Sequence, residues 1–150
     1  MRVVIDTNIA FSAILNSNSK IGRIILHPKT NLNFYATHQL LEELEDHKAK
    51  LKLLSGYSDS ELAEVIRLII QKIRFINIKL IPLEIFAQAE IIASDIDIDD
   101  TEFIALAEHA KAKLWTGDKK LIQGLIKKNW GRIITTDELY IHIQKKRSDL

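Results

Sequence analysis

Short apolar runs with strand character recur along the chain, and segments of helical periodicity separate them. The runs cover residues 2–5, 33–36, 74–76, 113–115 and 132–135. This alternation is typical of a parallel sheet whose strands are joined by helices. The sequence therefore predicts an α/β protein, and it restricts ligand sites to the carboxyl edge of the sheet, where the loops after parallel strands form a crevice.

Capping residues and a proline mark where helices begin between these runs. Thr37 is expected to cap a helix that continues through Leu54, and Ser58 with Glu61 forms a capping box. The predicted helices that follow are 59–72, 83–94 after Pro82, 101–111, and 137–146 capped by Thr136.

Composition limits what kind of protein this is. A chain of 150 residues with 47% hydrophobic and 27% charged residues is expected to form one domain over 1–150. The absence of cysteine excludes disulfides and thiolate metal sites. The first apolar run is too short for a signal peptide and no stretch is long enough to span a bilayer, so we expect a cytoplasmic protein without membrane contact. The net charge of +1 limits nucleic-acid contact to local patches.

Two aspartates come shortly after predicted strands. Asp6 comes after Val3-Val4-Ile5, and Asp118 comes after Trp115-Thr116-Gly117. Carboxylates gathered at a sheet edge repel one another, which raises their pKa values unless a cation neutralises them. We therefore interpret them as ligands of a divalent metal. Asp, Thr and Asn are also favoured as plain helix caps, and that alternative stays open for both positions.

Two further acids complete the predicted site. Glu43 lies at the margin of an apolar helical stripe formed by Leu40, Leu41, Leu44, Leu51 and Leu54, whereas Glu42 points almost opposite and is expected on the surface. The alternative for Glu43 is a salt bridge at the rim. Asp100 precedes Phe103 and Ile104 at a helix start, where the helix dipole alone would also favour an acid.

Polar neighbours can support these acids. Asn8 and Thr116 can hydrogen-bond near them, Asp97 and Asp99 add charge beside Asp100, and Lys119 or Lys120 can contact a phosphate. The basic residues Lys145, Lys146 and Arg147 are interpreted as solvated tail charges. The five histidines show no paired metal-ligand spacing, and neither a nucleophile elbow nor a Walker sequence is present.

These motifs, in this order, resemble the PIN domain family over nearly the whole chain. They are Asp6-Thr7-Asn8, Thr37-x-x-Leu40-Leu41-x-Glu43-Leu44, Asp97-x-Asp99-Asp100-x-x-Phe103-Ile104 and Thr116-Gly117-Asp118-Lys119. The resemblance implies a Rossmann-like three-layer α/β/α fold around a mostly parallel sheet of four to five strands.

The same resemblance implies a function. Members of the family that this chain resembles are endoribonucleases that use Mg²⁺ or Mn²⁺, and the expected products have 5′-phosphate and 3′-hydroxyl ends. The resemblance implies that the catalytic and metal-binding acids are Asp6, Glu43, Asp100 and Asp118. Small single-domain members resemble the toxin component of VapBC-type toxin-antitoxin pairs, so a small antitoxin protein and a homodimer are implied as well. Where many relatives have another acid two residues after the last motif aspartate, this chain has Lys120, which bears on whether a second metal binds tightly.

Two other functions remain open from the sequence. A PIN-like module that binds RNA or protein without cleaving is the main alternative. A haloacid-dehalogenase-like Mg²⁺ phosphatase would also be α/β, but it needs a second aspartate two residues after the first, and that position is Asn8.

Overall fold

A five-stranded, fully parallel sheet forms the centre of the molecule. The computed structural model describes residues 1–28 and 30–148, with side chains described as far as Lys145. The strands are paired in the order β3-β2-β1-β4-β5. Their bounds are β1 Arg2–Ile5, β2 Asn33–Thr37, β3 Ile73–Ile76, β4 Lys113–Trp115 and β5 Ile133–Ile134. All five predicted strands are confirmed, with ends that differ by at most one residue on either side.

Helices cover both faces of this sheet and complete a three-layer α/β/α fold, as predicted. Within the described residues they are α1 Thr7–Leu15, α2 Lys20–Leu26, α3 Gln39–Asp46, α4 Lys48–Ser55, α5 Asp59–Ile70, α6 Leu83–Ala93, α7 Thr101–Ala110, α8 Lys119–Lys127 and α9 Thr136–Ser148. Helix α1 packs against α2, α3, α4 and α5, and α2 packs against α9. Helix α7 packs against α6 and against strands β1, β2 and β4.

The core is built around β1, the middle strand. Val3, Val4 and Ile5 are all fully buried, which is expected for a parallel strand with helices on both of its faces. Trp115, at the end of β4, is fully buried too, and its indole N–H donates to Thr136 Oγ1 at 3.0 Å. The carboxyl ends of β1 and β4 are therefore held by close packing, which gives the residues that follow them fixed positions.

The prediction of one continuous helix from Thr37 through Leu54 is wrong. Thr37 is the last residue of β2, and a break at His47 separates α3 from α4. The break changes the phase of the apolar stripe, so Leu54 is 60% exposed although Leu40 and Leu51 are buried. The stripe predicted from a single helical period therefore ends before Leu54.

Two other helix starts differ from the prediction. Thr135, rather than Thr136, caps α9: its hydroxyl accepts from Glu138 N, and the Glu138 carboxylate accepts from the hydroxyl and the amide of Thr135. Thr136 instead accepts the indole bond from Trp115. The sequence prediction had no helix at α2, which Ser19 caps by accepting from Gly22 N at 3.1 Å. The Ser58 and Glu61 capping box is confirmed.

None of the helices in the described ranges is long and apolar enough to cross a membrane.

Candidate active site

The four predicted acids lie on elements that begin at the carboxyl edge of the sheet. Asp6 follows β1 and Asp118 follows β4, and these strands are parallel neighbours in which Ile5 pairs with Trp115. Glu43 is on α3, directly after β2, and Asp100 immediately precedes α7. Strands β2 and β3 lie on one side of β1, and β4 and β5 lie on the other. The direction of the strand order therefore reverses at β1, and the acids lie around this point. Ligands bind at such points in open α/β sheets.

A cavity of about 570 Å³ opens at this edge, and we call it the acidic cavity. Its lining residues are Asp6, Thr7, Asn8, Gln39, Glu42, Glu43, His47, Asp97, Asp99, Asp100, Glu102 and Phe103. Seven of these are acidic. Asp6, Glu43 and Asp100 are thus brought together as predicted, and Asp118 stands outside the lining.

Asp6 is the most deeply buried of the acids, with 3% of its surface exposed. Its Oδ1 accepts from Ile9 N at 2.9 Å and caps α1. Burial is the largest cause that raises the pKa of Asp6. Hydrogen bonds from Thr116 and Ile9 lower it and the charges of Asp118 and Glu43 raise it, and the combined effect is a pKa of about 6. Asp6 therefore acts both as a helix cap and as a member of a strained acidic group.

Asp100 has the larger shift. Burial is the largest cause, the charges of Asp97, Asp6, Asp118 and Glu43 contribute as well, and together they raise its pKa to about 7. Although Asp100 occupies the cap position of α7, its carboxylate makes no capping hydrogen bond. The carboxylate is therefore available to a ligand, and simple capping does not explain why an acid stands at this position.

Thr116 connects the acids that follow β1 and β4. Its hydroxyl accepts from Asp118 N at 3.1 Å and interacts with the Asp6 carboxylate, where it lowers the pKa. Asp118 Oδ1 caps α8 by accepting from Lys120 N at 3.0 Å and Leu121 N at 3.2 Å. Both capping hydrogen bonds go to Oδ1, so Oδ2 of Asp118 takes no part in the cap. Asp118 raises the pKa of both Asp6 and Asp100, so it lies within electrostatic range of the cavity.

Glu43 is held in place by a residue that the sequence prediction missed. Gln39 Nε2 donates to Glu43 Oε1 at 2.6 Å and to the Asp99 carbonyl at 2.8 Å. His47 Nδ1 lies 2.9 Å from the Glu43 carbonyl, and its ring contacts Phe11 with centroids 5.5 Å apart. The spacing of four residues between Gln39 and Glu43 is a signal that could have indicated their contact on a helix.

The supporting residues occupy the wall and rim of the cavity. Asn8, Asp97 and Asp99 line it with exposed side chains. Asp97 Oδ1 accepts from Asp99 N at 3.0 Å and fixes the short 3-10 turn before α7. We call this turn, Ile98–Asp100 with its cap Asp97, the acidic turn.

Two acids depart from the sequence prediction. Glu42 is exposed, as predicted, but it also borders the acidic cavity, so only its expected separation from the crevice is wrong. The three α3 residues that line the cavity, Gln39, Glu42 and Glu43, all lie toward the amino-terminal end of the helix, near the carboxyl edge of the sheet. Glu102 was not predicted and lines the cavity as well. Burial raises the pKa of Glu102, and the Thr37 hydroxyl partly offsets the rise.

The lysines predicted to contact phosphate are outside the acidic cavity. Lys119 and Lys120 are exposed at the start of α8. Lys120 lines a separate depression, which we call the basic groove and which consists of Asp95, Ile96, Lys120, Gln123, Gly124, Lys127 and Lys128. Lys145 is exposed, and the side chains of Lys146 and Arg147 lie outside the described residues.

The acidic cavity fits a hard divalent cation in the chemistry of its donors. Carboxylate and amide oxygens are the ligands that Mg²⁺ and Mn²⁺ prefer, and the buried Thr7 hydroxyl at the cavity wall has no hydrogen-bond partner. In the part of the chain that the structure describes, no three acidic or histidine side chains are grouped closely enough to hold an ion. Cation binding therefore requires the carboxylates to draw together.

Comparisons with known proteins agree with this architecture. No curated protein sequence matches the chain. A chain of the crystal structure of VapBC2 from Rickettsia felis, bound to a DNA fragment from their promoter, has a similar fold: the TM-score is 0.65 at 15% sequence identity, over 90% of this chain and 97% of that chain. The sequence model of the PIN domain matches residues 4–144. The chain belongs to the PIN domain family.

Proposed function

We propose that the protein is a divalent-metal-dependent endoribonuclease that cleaves RNA phosphodiester bonds. The observation that supports this proposal most is the acidic cavity, in which burial and mutual repulsion raise the pKa values of Asp6 and Asp100. Such an arrangement is electrostatically costly, and shifts of this kind are concentrated at functional sites. A bound Mg²⁺ or Mn²⁺ would offset the cost, and membership in a family of nucleases directs the proposal to RNA.

In this proposal Asp6, Glu43, Asp100 and Asp118 hold the cation, with Asn8, Thr116, Asp97 and Asp99 supporting them. When bound, the ion supplies an activated water and offsets negative charge at the scissile phosphate. Asp6 keeps its carboxylate fixed through the bond from Ile9 N, and Thr116 holds Asp118 beside it. Packing beneath β1 and β4 limits how far these two carboxylates can move, so they define the position of the site.

Substrate phosphates would be bound next to the acids by Lys119 and Lys120. Both side chains are exposed at the first turn of α8, where a helix N-terminus also favours anions. The acidic cavity itself repels the negatively charged RNA. The positive charges of Lys119 and Lys120 would offset this repulsion and hold the RNA near the rim of the cavity. Lys120 replaces a further acid here and faces the basic groove, so we propose a site that binds one metal ion tightly.

A toxin role in a toxin-antitoxin pair is the proposed biological context. The similarity in fold to a chain of the VapBC2 structure supports it. The partners would be a small antitoxin protein and a second copy of the chain, with action on RNA in the cytoplasm.

The experiment that tests the activity is RNA cleavage by the purified protein with Mn²⁺ or Mg²⁺, compared with EDTA. Metal-dependent cleavage that Asp100→Asn removes supports the proposal. Asp46→Asn is a suitable control, because Asp46 is an exposed acid on α3 outside the cavity. RNA binding without cleavage under all metal conditions would instead favour the non-cleaving module.

A further inference from the structure

We infer that Gln39 is a positioning residue that joins the two sides of the acidic cavity and prepares it for a cation. The inference rests on the proposed function and adds a residue to it. Gln39 is the first residue of α3, and its amide nitrogen makes two hydrogen bonds: one to Glu43 Oε1 at 2.6 Å and one to the Asp99 carbonyl at 2.8 Å.

The orientation of the Gln39 amide follows from its partners. A carboxylate and a backbone carbonyl are both acceptors, so the NH₂ group must face them, and both of its hydrogens are then used. Asp99 is 60 residues away in sequence and immediately precedes Asp100. A single side chain therefore restrains the Glu43 carboxylate on α3 and, on the opposite wall, the backbone next to Asp100.

The neutrality of Gln39 matters as much as its reach. A lysine could make similar bonds, but its positive charge would neutralise the acids and compete with a metal ion. A glutamate could not donate and would add to the repulsion. Glutamine restrains the acids while leaving their negative charge for a cation. Residues that orient metal ligands in this way typically change metal affinity by about 10-fold to 100-fold when replaced.

The test is direct binding of Mn²⁺, measured by calorimetry or by electron paramagnetic resonance. Gln39→Met keeps the length of the side chain and removes both donors, and Gln39→Asn keeps the amide but is too short to join both partners. Gln88→Met is the matched control, because Gln88 is exposed on α6, away from the cavity. We expect both Gln39 variants to bind Mn²⁺ about 10-fold or more weakly and the control to be unchanged.

Two further readouts separate positioning from a general loss of structure. Thermal unfolding in EDTA should show that the Gln39 variants remain folded, and hydrogen exchange should increase in the acidic turn but not in α6. Cleavage by Gln39→Met should need more Mn²⁺ and approach the unsubstituted rate once the metal is saturating.

The outcomes distinguish the two proposals. If the unsubstituted protein binds Mn²⁺ and both Gln39 variants bind it equally well, the role of Gln39 is refuted while the metal site stands. If the unsubstituted protein binds no Mn²⁺, the metal-dependent function and the role of Gln39 are both refuted.

Discussion

The acidic cavity and the basic groove are both lined by clustered charged side chains, but these charges lie in opposite environments. In the groove, Lys128 forms an ion pair with Asp95 and donates to the Ile92 carbonyl at 3.0 Å. Lys120 and Lys127 are exposed to water. In the cavity, like charges are partly buried together, so the pKa values of Asp6 and Asp100 rise.

This difference identifies which cluster is under electrostatic strain. Exposed and paired charges contribute little to stability in either direction. The charges of the groove therefore have little effect on the free energy of unfolding. Buried like charges oppose folding, because desolvation and repulsion disfavour the ionised forms. A bound cation would therefore stabilise the folded protein at the cavity, whereas the groove has no comparable electrostatic strain to relieve. The predictions below test this contrast, beginning with the largest expected effect.

The largest effect is expected from neutralising Asp6. Asp6→Asn should reduce Mn²⁺-dependent RNA cleavage by about 100-fold to 1000-fold, the usual loss when one group that stabilises transition-state charge is removed. The asparagine oxygen can still accept from Ile9 N, so the fold should persist. Cleavage rates with a defined RNA, after removal of contaminating nucleases, measure the effect. Undiminished cleavage by Asp6→Asn would show that the cavity is not the catalytic site.

The next effect is a fall in stability with rising pH in the metal-free protein. Unfolded aspartates lose their protons near pH 4, whereas folded Asp6 and Asp100 keep theirs until about 6 and about 7. The folded state therefore binds more protons in this window, and the free energy of unfolding decreases as pH rises through it. For Asp6 alone, the rise from 3.8 to about 6 corresponds to about 3 kcal/mol.

Urea unfolding in EDTA between about pH 4 and pH 8 measures this fall. The double variant Asp6→Asn, Asp100→Asn should lose most of it and be more stable than the unsubstituted protein at pH 8. Asp46→Asn should retain the fall, because Asp46 lies outside the cavity. An equal slope in all three proteins would mean that the acids are not strained.

The smallest effect is expected from the lysines. Replacing Lys119 and Lys120 with alanine should weaken RNA binding about equally across sequences and reduce the salt slope by about 1 to 2, because phosphate contacts carry no sequence information. Mn²⁺ affinity should be nearly unchanged. Substitution of Lys145, Lys146 and Arg147 serves as the control, and equal losses from both sets would indicate diffuse electrostatics rather than a phosphate site.

Much of the fold could be predicted because its signals are local. Apolar runs identified all five strands, and the residues after β1 and β4 gave Asp6 and Asp118. The break at His47 was missed because the sequence around it retains helical periodicity, and this error extended the stripe to Leu54. A local pattern indicates that a helix forms, but it does not encode the contacts that α3 and α4 make with α1, or α4 with α5.

The site was predicted less completely for a related physical reason. The acids could be identified from their places at strand ends and helix starts. The contribution of Gln39 depends on a hydrogen bond to Asp99 across 60 residues, which no local spacing encodes. Glu42 and Glu102 line the cavity together with residues distant in sequence, and that too is a tertiary property.

The most direct test of the central claim is a structure of crystals soaked with Mn²⁺, with the ion located by its anomalous scattering. We expect one Mn²⁺ in the acidic cavity, coordinated at about 2.0–2.3 Å by oxygens of Asp6, Asp100 and Asp118 or by waters that these carboxylates hold, with Glu43 nearby. An anomalous peak confined to other surfaces, or a cavity that stays free of the ion at saturating Mn²⁺, would contradict a single cation site formed by these acids.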